Sequence, residues 1–222
     1  MARGIFVTGT DTGVGKTLAC VALLRALSTA GIRAVGMKPV SAGIAPGAPA
    51  NEDVRALDAA STVSAPLEDR NPIAFADPVA PHLAARRTGH VIDLRLITAA
   101  FGRLSGQADA IVVEGAGGAL VPLDDRHDML DIARSLRLPV LLVVGVRLGC
   151  LNHARLSALA IRTRALPLAG WVAVRLEDDM PLAEDNIGWL RGELAAPLVG
   201  ETRRGERLAI GRAALVQLGL AD

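Results

Sequence analysis

Residues 5–17 read IFVTGTDTGVGKT, and they decide how the rest of the chain is interpreted. An apolar run of the kind found in buried strands stops at a glycine-rich turn, and a helical pattern follows. Gly13 and Gly15 let the backbone curl so that consecutive N–H groups face inward, and the start of the helix adds the positive end of its dipole. Lys16 can reach the terminal phosphates of a nucleotide, and the Thr17 hydroxyl can join the ligands of Mg2+. The stretch predicts a phosphate-binding loop, or P-loop.

The loop is a variant of the usual pattern G-x4-G-K-S/T. Thr10 stands at the position of the first glycine, and Gly9 lies one residue earlier. The tripeptide GKT alone fits an ordinary glycine turn as well as a P-loop. The strand pattern before it and the helical pattern after it favour the P-loop.

The composition predicts a single α/β domain over residues 1–222, a length that can bury a sizeable core. The formal net charge is +1 and the arginines are scattered, which argues against nucleic acid or a membrane as partner and favours small molecules. Apolar residues make up 51% of the chain, but their runs are interrupted before they could span a bilayer. Cys20 and Cys150 lack metal-ligand spacing, and no signal peptide precedes the first strand, so we expect reduced thiols and a cytoplasmic location.

Lysine is unusually rare in this chain. Among 24 lysines and arginines, only Lys16 and Lys38 are lysines. A coding bias towards arginine explains the depletion but not the two exceptions. Because Lys16 belongs to the P-loop, Lys38 is a candidate for a place where a compact ammonium is needed and a planar guanidinium does not serve. Residues 34–37 read as a buried strand that delivers Lys38 to the ligand-binding edge of a parallel sheet, although a solvated loop lysine is the alternative.

Two acidic residues, Glu114 and Asp53, lie at the ends of predicted elements, one after a strand and one at the start of a helix. Glu114 ends the apolar run 110–113 and precedes glycines, and in P-loop nucleotidases an acid at such a place holds or backs the magnesium. A buried carboxylate without a cation is costly, which favours that role over a purely structural one. Asp53 opens a helix with Asn51 as its natural cap, where an acid more commonly serves the helix dipole than a metal or nucleotide.

Apolar strands alternate with helical patterns along the whole chain, which predicts an α/β fold, doubly wound, with a mainly parallel sheet covered by helices on both faces. The proline-rich residues 66–92 are expected to be irregular and to cross the ligand-binding edge, and residues 208–218 to form a final helix. The four histidines have no ligand spacing for a transition metal. No G-x-S-x-G elbow is present, which argues against a hydrolase triad.

Five motifs, in order along the chain, resemble the dethiobiotin synthetase family. They are Thr8–Thr17, Lys38-Pro39-Val40, Phe75–Pro78 with Pro81-His82, Val113–Gly118, and Leu148–Ala154. The resemblance covers residues 5 to about 200. It implies a P-loop nucleotide-binding enzyme, a ligase that uses ATP and Mg2+ to close the cyclic urea of dethiobiotin from 7,8-diaminononanoate and CO2 in biotin synthesis. It also implies a homodimer with the substrate site at the interface.

The resemblance assigns roles to individual residues. Lys38 and Lys16 are implied to be catalytic, flanking the transferred phosphoryl group, where they offset its charge. The implied metal ligands are Thr17, Asp53 and Glu114, which we expect to converge on one Mg2+ at the sheet edge. The implied ATP contacts are Gly13, Val14, Gly15, Lys16, Thr17, Leu18, Asp53, Glu114, Gly115, Ala116, Gly117, Val174, Arg175, Arg203 and Arg204. The implied substrate contacts are Thr12, Lys38, Ser41, Ala42, Gly149, Cys150 and Asn152.

The chain departs from the family pattern at two places. Many members have Ser or Thr where this chain has Ala42, with Ser41 beside it. Some members have Asn-Asp for adenine recognition where this chain has Val174-Arg175. Base selectivity is therefore expected to be loose, or to be supplied by residues 202–204.

Three other classes share this fold. A partition or septum-positioning ATPase needs a signature lysine early in its P-loop, where this chain has Asp11. An amide-forming ligase of corrin synthesis brings a glutaminase domain, for which 222 residues leave no space. A small-molecule kinase has a lid with clustered arginines, of which Arg203 and Arg204 are only a hint. The five motifs favour the synthetase over all three.

Overall fold

The strand that leads into the P-loop lies inside a six-stranded sheet. The structure is a computed structural model and describes residues 2–222. The strands are β1 (Arg3–Gly9), β2 (Ala34–Met37), β3 (Val40–Ala42), β4 (Ile73–Phe75), β5 (Ala110–Gly118), β6 (Val140–Val146), β7 (Leu168–Arg175) and β8 (Leu198–Arg203). The helices are α1 (Lys16–Thr29), α2 (Glu52–Ala60), α3 (Leu67–Arg70), α4 (Pro81–Thr88), α5 (Leu94–Ser105), α6 (Met129–Leu136), α7 (Cys150–Thr163), α8 (Ala183–Glu193) and α9 (Arg212–Gln217).

The strand order of the large sheet is β2-β5-β1-β6-β7-β8, and neighbouring strands pair in parallel. Helices pack against both of its faces. Successive side chains of a strand point to opposite faces. Accordingly, Ile5 and Val7 pack into a core with α1 and α9, while Phe6 packs into a second core with α5 to α8. The predicted doubly wound, mainly parallel α/β fold is confirmed. Within residues 2–222, no helix is both long and apolar enough to cross a membrane.

The proline-rich segment is more regular than its composition indicates, so the prediction of an irregular stretch over residues 66–92 is wrong. It contains α3, β4 and α4, and β4 pairs in parallel with β3 to form a separate two-stranded sheet. Ile73 and Phe75 are buried while Ala74 is exposed, the alternation of a half-buried strand. Pro81 occupies the first turn of α4, where its fixed φ favours helix initiation. This small sheet adjoins the end of β2 and so helps to position the site.

Two element ends also differ from the sequence-based prediction. The last helix covers only residues 212–217, because Gly211 immediately precedes it and Leu208 is buried in the connection before it. Glu114 does not end its strand, since β5 continues to Gly118 beside the end of β1.

Candidate nucleotide-binding site

The P-loop joins β1 to α1 and has the backbone geometry that its glycines allow. Gly13 and Gly15 have φ values of 72° and 97°, in the left-handed region that other residues rarely adopt. A Cβ at Gly15 would also make a tight contact, 3.2 Å from Cγ2 of Val174, which adds to the preference for glycine that the positive φ sets. Lys16 donates from Nζ to the carbonyl oxygen of Asp11 at 3.0 Å, which holds its side chain across the loop. The loop is shaped for an anion at the N-terminus of α1.

Four side chains converge beside the loop, at the carboxyl edge of the sheet. The Lys38 ammonium lies 2.6 Å from Glu114 Oε1 and 2.8 Å from Asp53 Oδ2. The Thr17 hydroxyl lies 2.9 Å from Glu114 Oε1 and 2.9 Å from Asp53 Oδ1, and its single hydrogen can be donated to one of them at a time. Lys38 is 4% exposed and Glu114 1%. A buried cation is thus paired with two carboxylates at the place expected for the terminal phosphates.

The charges of this cluster are fixed by their neighbours. Burial disfavours an ammonium, but Glu114 and Asp53 outweigh it and raise the pKa of Lys38 above its ordinary value. Burial disfavours a carboxylate too, yet the Lys38 ammonium and the hydrogen bonds from Lys38 and Thr17 lower the pKa of Asp53. For Lys16 burial prevails, and its pKa is lowered despite the attraction of Glu114. At neutral pH Lys38 is therefore an ammonium and Asp53 a carboxylate.

Each member of the cluster is delivered by a different element. Lys38 follows β2, Glu114 lies in β5, and Thr17 is in the first turn of α1. Asp53 is in the first turn of α2, which Asn51 caps by accepting a hydrogen bond from the Asp53 N–H at 2.9 Å. Because Lys38 is buried and its ammonium is paired with Glu114 and Asp53, it is not a solvated loop lysine.

The cluster has the oxygen donors of a magnesium site but not a complete shell. Within residues 2–222, Glu114 Oε2 is a buried oxygen with no hydrogen-bond partner. Residues 2–222 hold no group of three His, Cys, Asp or Glu side chains suited to a metal. Mg2+ is commonly held by one or two carboxylates together with phosphate oxygens and water. Thr17, Asp53 and Glu114 therefore fit a cation that arrives with a nucleotide.

A cavity of about 700 Å³ opens beside these side chains. Thr12 and Ala42 line it together with the P-loop and the acid cluster. Its remaining lining residues include Pro78, Val79, Ala80, Pro81, Ala116, Gly117 and Val121. The mixture of cationic, anionic and apolar walls can accept a phosphate at one end and a partly aliphatic molecule at the other.

Some residues implied by the family resemblance lie outside this cavity. Ser41 is fully buried, and its hydroxyl donates to Asn71 Oδ1 at 2.9 Å, so Ala42 rather than Ser41 faces the cavity. Gly115 is enclosed within the sheet, where a Cβ would meet the Phe6 ring at 2.9 Å. Leu18 packs against the core under α1. None of these three residues lines the cavity.

The turn before α7 is also outside the cavity lining in the described part of the chain. Gly149 precedes α7 with a φ of 91°, Cys150 is buried, and Asn152 is exposed. The backbone N–H groups of this helix start have no side-chain cap.

The residues implied for base recognition meet at the ends of β7 and β8. Arg175 pairs with Arg203 in the sheet register, and the Arg204 N–H donates to the Arg175 carbonyl at 2.8 Å. Val174 is buried against Gly15. The Arg175 guanidinium is bonded to Glu184 and Glu201. A nucleotide base at the ends of β7 and β8 could therefore be contacted by backbone groups and by exposed arginines.

Two features of the site have no signal in the sequence. Arg147 Nη2 lies 2.6 Å from Asp11 Oδ2 and so ties the end of β6 to the P-loop. Asn71 is buried and bonded to the backbone of Lys38. Neither residue belongs to a motif or a periodic pattern, because each acts through contacts between segments distant in sequence.

The parallel sheet, the P-loop after β1 and the acid cluster at its carboxyl edge define a P-loop nucleotide-binding protein. A family model described as "AAA domain" matches residues 3–208. The ATP-dependent dethiobiotin synthetase of Nitrosospira multiformis is 50% identical over 200 residues, 90% of this chain and 88% of that one. The enzyme of the same name from Ralstonia nicotianae is 51% identical over 201 residues, with 90% and 88% covered. The chain belongs to the dethiobiotin synthetase family.

A solved structure supports the fold independently. The MinC:MinD cell division protein complex of Aquifex aeolicus contains a chain that is similar with a TM-score of 0.55. The two chains share 18% identity over 90% of this chain and 81% of that one. At this identity the similarity concerns the fold alone.

Proposed function

We propose that this chain is an ATP-dependent ligase that carboxylates 7,8-diaminononanoate with CO2 and closes the ring to dethiobiotin in biotin biosynthesis. The observation that carries the proposal is the buried Lys38 ammonium, which lies between Glu114 and Asp53 beside the P-loop. Phosphoryl transfer to a carbamate brings negative charge to this point, and preorganised cations stabilise such charge.

The proposed reaction has three steps. One substrate amine adds to CO2, forms a C–N bond and loses a proton to give a carbamate. A carbamate oxygen attacks the γ-phosphorus of ATP, and ADP leaves, so that a carbamic-phosphoric anhydride forms. The second amine then attacks the carbamoyl carbon, inorganic phosphate leaves, and a proton is released to solvent as the cyclic urea closes.

The chain's own residues have separable tasks in these steps. Lys16 and the amides of residues 13–18 hold the phosphates of ATP, as at other helix N-termini. Lys38 stands on the opposite side of the transferred phosphoryl group and orients the carbamate oxygen towards it. Thr17, Asp53 and Glu114 would hold Mg2+, which would supply positive charge to offset that of the phosphates.

The cavity lining supports a proposal for the remaining ligand contacts. Thr12, Ala42, Ala116 and Gly117 all line the cavity. We propose that Thr12 and Ala42 contact the reacting end of the diamine and that Ala116 and Gly117 close the phosphate side. The base of ATP rests at the ends of β7 and β8, near Val174-Arg175 and Arg203-Arg204. With Arg175 held by Glu184 and Glu201, we propose that the base is selected loosely. The buried free thiols of Cys20 and Cys150 fit a reducing compartment, and we propose the cytoplasm.

A coupled assay tests the proposed reaction. ADP release is measured with the purified protein, Mg2+ and ATP, with the diamine and bicarbonate added singly and together. We expect steady ATP consumption only when both are present, with one phosphate released per dethiobiotin formed. ATP consumption that is independent of the diamine would contradict the proposal and favour another class of P-loop protein.

We propose a homodimer in which the α7 face is the interface. Leu148 is 89% exposed, Leu156 56% and Leu159 52%. Leu148 directly precedes the Gly149–Asn152 turn, and Leu156 and Leu159 line a surface depression together with Asn152. Exposed apolar side chains grouped in this way favour association. In the dimer, the uncapped start of α7 of one copy presents its N–H groups to the substrate carboxylate in the other.

Leu156→Arg is expected to dissociate the dimer and to raise the KM for the diamine. The substitution places a charge in an apolar contact, and Leu96→Arg on α5 is the matched control because Leu96 is 55% exposed. Sedimentation velocity measures the oligomeric state of both variants. A dimer that persists in Leu156→Arg, or dissociates equally in Leu96→Arg, would contradict the assigned interface.

A further inference from the structure

A buried polar network holds the backbone of Lys38. Asn71 lies between α3 and β4 and is 6% exposed, and Ser41 in β3 is fully buried. The Asn71 amide nitrogen donates to the Lys38 carbonyl at 2.7 Å and to the Ile73 carbonyl at 3.2 Å. The Ser41 hydroxyl donates to Asn71 Oδ1 at 2.9 Å. Both ends of the amide are therefore occupied.

The orientation of the Asn71 amide follows from its partners. The Lys38 and Ile73 carbonyls can only accept hydrogen bonds, so the amide nitrogen must face them. Its oxygen is then left for Ser41, whose hydroxyl can donate. Both carbonyls would lose a hydrogen bond if the amide were reversed, whereas the Ser41 hydroxyl could accept instead of donate, and a buried unpaired polar group is costly.

The same segment also holds the other side of the Lys38 peptide. The Lys38 N–H donates to the Arg70 carbonyl at 2.8 Å, and the Ile73 N–H donates to the Pro39 carbonyl at 3.2 Å. Pro39 has no N–H, so the peptide unit after Lys38 can be fixed only through the Lys38 carbonyl. Asn71 is the side chain that bonds to this carbonyl.

We propose that Asn71 is a positioning residue for catalysis, with Ser41 as the group that orients it. The Lys38 side chain is flexible, and its ammonium must meet Glu114 and Asp53 at one end while its backbone is held at the other. A fixed Lys38 carbonyl sets the direction in which the Lys38 side chain leaves the backbone. In the proposed reaction, this direction leads to the transferred phosphoryl group. This inference rests on the proposed role of Lys38, and it gives the buried Ser41 hydroxyl a task other than substrate contact.

The position of Lys38 can be observed without any reaction. Lys16 and Lys38 are the only lysines in the chain, so lysine labelled with 13C at Cε gives two side-chain NMR signals. Lys38→Met removes one signal and thereby assigns both. We expect Asn71→Ala to shift and broaden the Lys38 signal while the Lys16 signal stays unchanged. Ser41→Ala, which keeps the bond from Asn71 to the Lys38 carbonyl, is expected to cause a smaller change in the same direction.

Ser61→Ala is the matched control. The Ser61 hydroxyl oxygen accepts a hydrogen bond at 2.9 Å from the N–H of Gly36, which lies in β2 two residues before Lys38, but it does not bond to Lys38 itself. Its loss is expected to lower the melting temperature without moving the Lys38 signal. An unchanged Lys38 signal in Asn71→Ala would overturn the proposal, as would an equal shift in Ser61→Ala. Should Asn71→Ala fail to fold, an unchanged Lys38 signal in Ser41→Ala would overturn it instead.

Kinetics give the second readout. A misplaced catalytic group costs roughly 10- to 100-fold in rate, and we expect this loss in kcat for Asn71→Ala with the KM for ATP changed less than about twofold. In a Lys38→Met background the same substitution is expected to cost nothing further, because it acts through Lys38. Equal losses in both backgrounds would overturn the proposal. A wild-type protein without synthetase activity would contradict the proposed function alone, since the NMR result does not depend on it.

Discussion

Lys38→Arg is expected to lower kcat by roughly a hundredfold or more, the effect of losing one well-placed transition-state donor. The Lys38 ammonium fits between Glu114 Oε1 and Asp53 Oδ2 at 2.6 and 2.8 Å, in a place that is 4% exposed. A guanidinium keeps the charge but is wider and planar, so it cannot make both contacts from the same backbone position. The charge would remain while the geometry of the reacting centre is lost.

The nucleotide dissociation constant separates this effect from general damage to the site. ATP binding should weaken far less than kcat falls in Lys38→Arg, because Lys16 and the loop amides still hold the phosphates. Lys16→Arg is the matched comparison, and there we expect nucleotide affinity to fall most. An unchanged kcat in Lys38→Arg would return Lys38 to a structural role and remove the strongest residue-level support for carboxylation chemistry.

Some residues of the site could be predicted from the sequence. All of them lie at the end of an apolar strand pattern or at the start of a helix, and both patterns mark the edge of the sheet. Glu114 interrupts a run of β-branched and apolar residues, and Lys38 follows such a run. Parallel strands end at one edge, so the convergence of these residues with Thr17 follows from topology alone. For Asp53 the sequence leaves a dipole role and a ligand role open; its contacts with Thr17 and Lys38 place its side chain in the cluster, and its role as a metal ligand stays a prediction.

What escaped prediction depends on contacts that leave no periodic pattern. Asn71 donates hydrogen bonds to two backbone carbonyls. Every residue has a backbone carbonyl, so the sequence does not indicate which ones Asn71 binds. β3 and β4 have three residues each, too short for an alternation to be distinguished from chance. Ser41 was considered a substrate contact because it neighbours Ala42, yet successive strand residues point to opposite sides, and only Ala42 faces the cavity.

Glu114→Gln is expected to have the largest effect of all, with kcat lowered by roughly a thousandfold and more Mg2+ needed for half-maximal activity. Glu114 Oε1 contacts both Lys38 and Thr17, and its buried Oε2 has no partner within residues 2–222. A neutral amide removes the charge that both the ammonium and a divalent cation require. It also leaves Lys38 with a single carboxylate, in surroundings where removing one partner of a buried pair costs about 3–5 kcal/mol.

Asp53→Asn is the control that tests whether the burial of Glu114 determines the size of the kcat loss in Glu114→Gln. Its side chain is 40% exposed against 1% for Glu114, so water can replace part of what the carboxylate supplies to Lys38 and to the cation. We therefore expect a smaller loss of kcat in Asp53→Asn, with the free energy of unfolding also less affected. The measurement is kcat over a range of Mg2+ concentrations, beside urea unfolding of both variants. An equal or larger loss in Asp53→Asn would contradict this expectation, because Asp53, from its more exposed position, would then contribute at least as much as the buried Glu114.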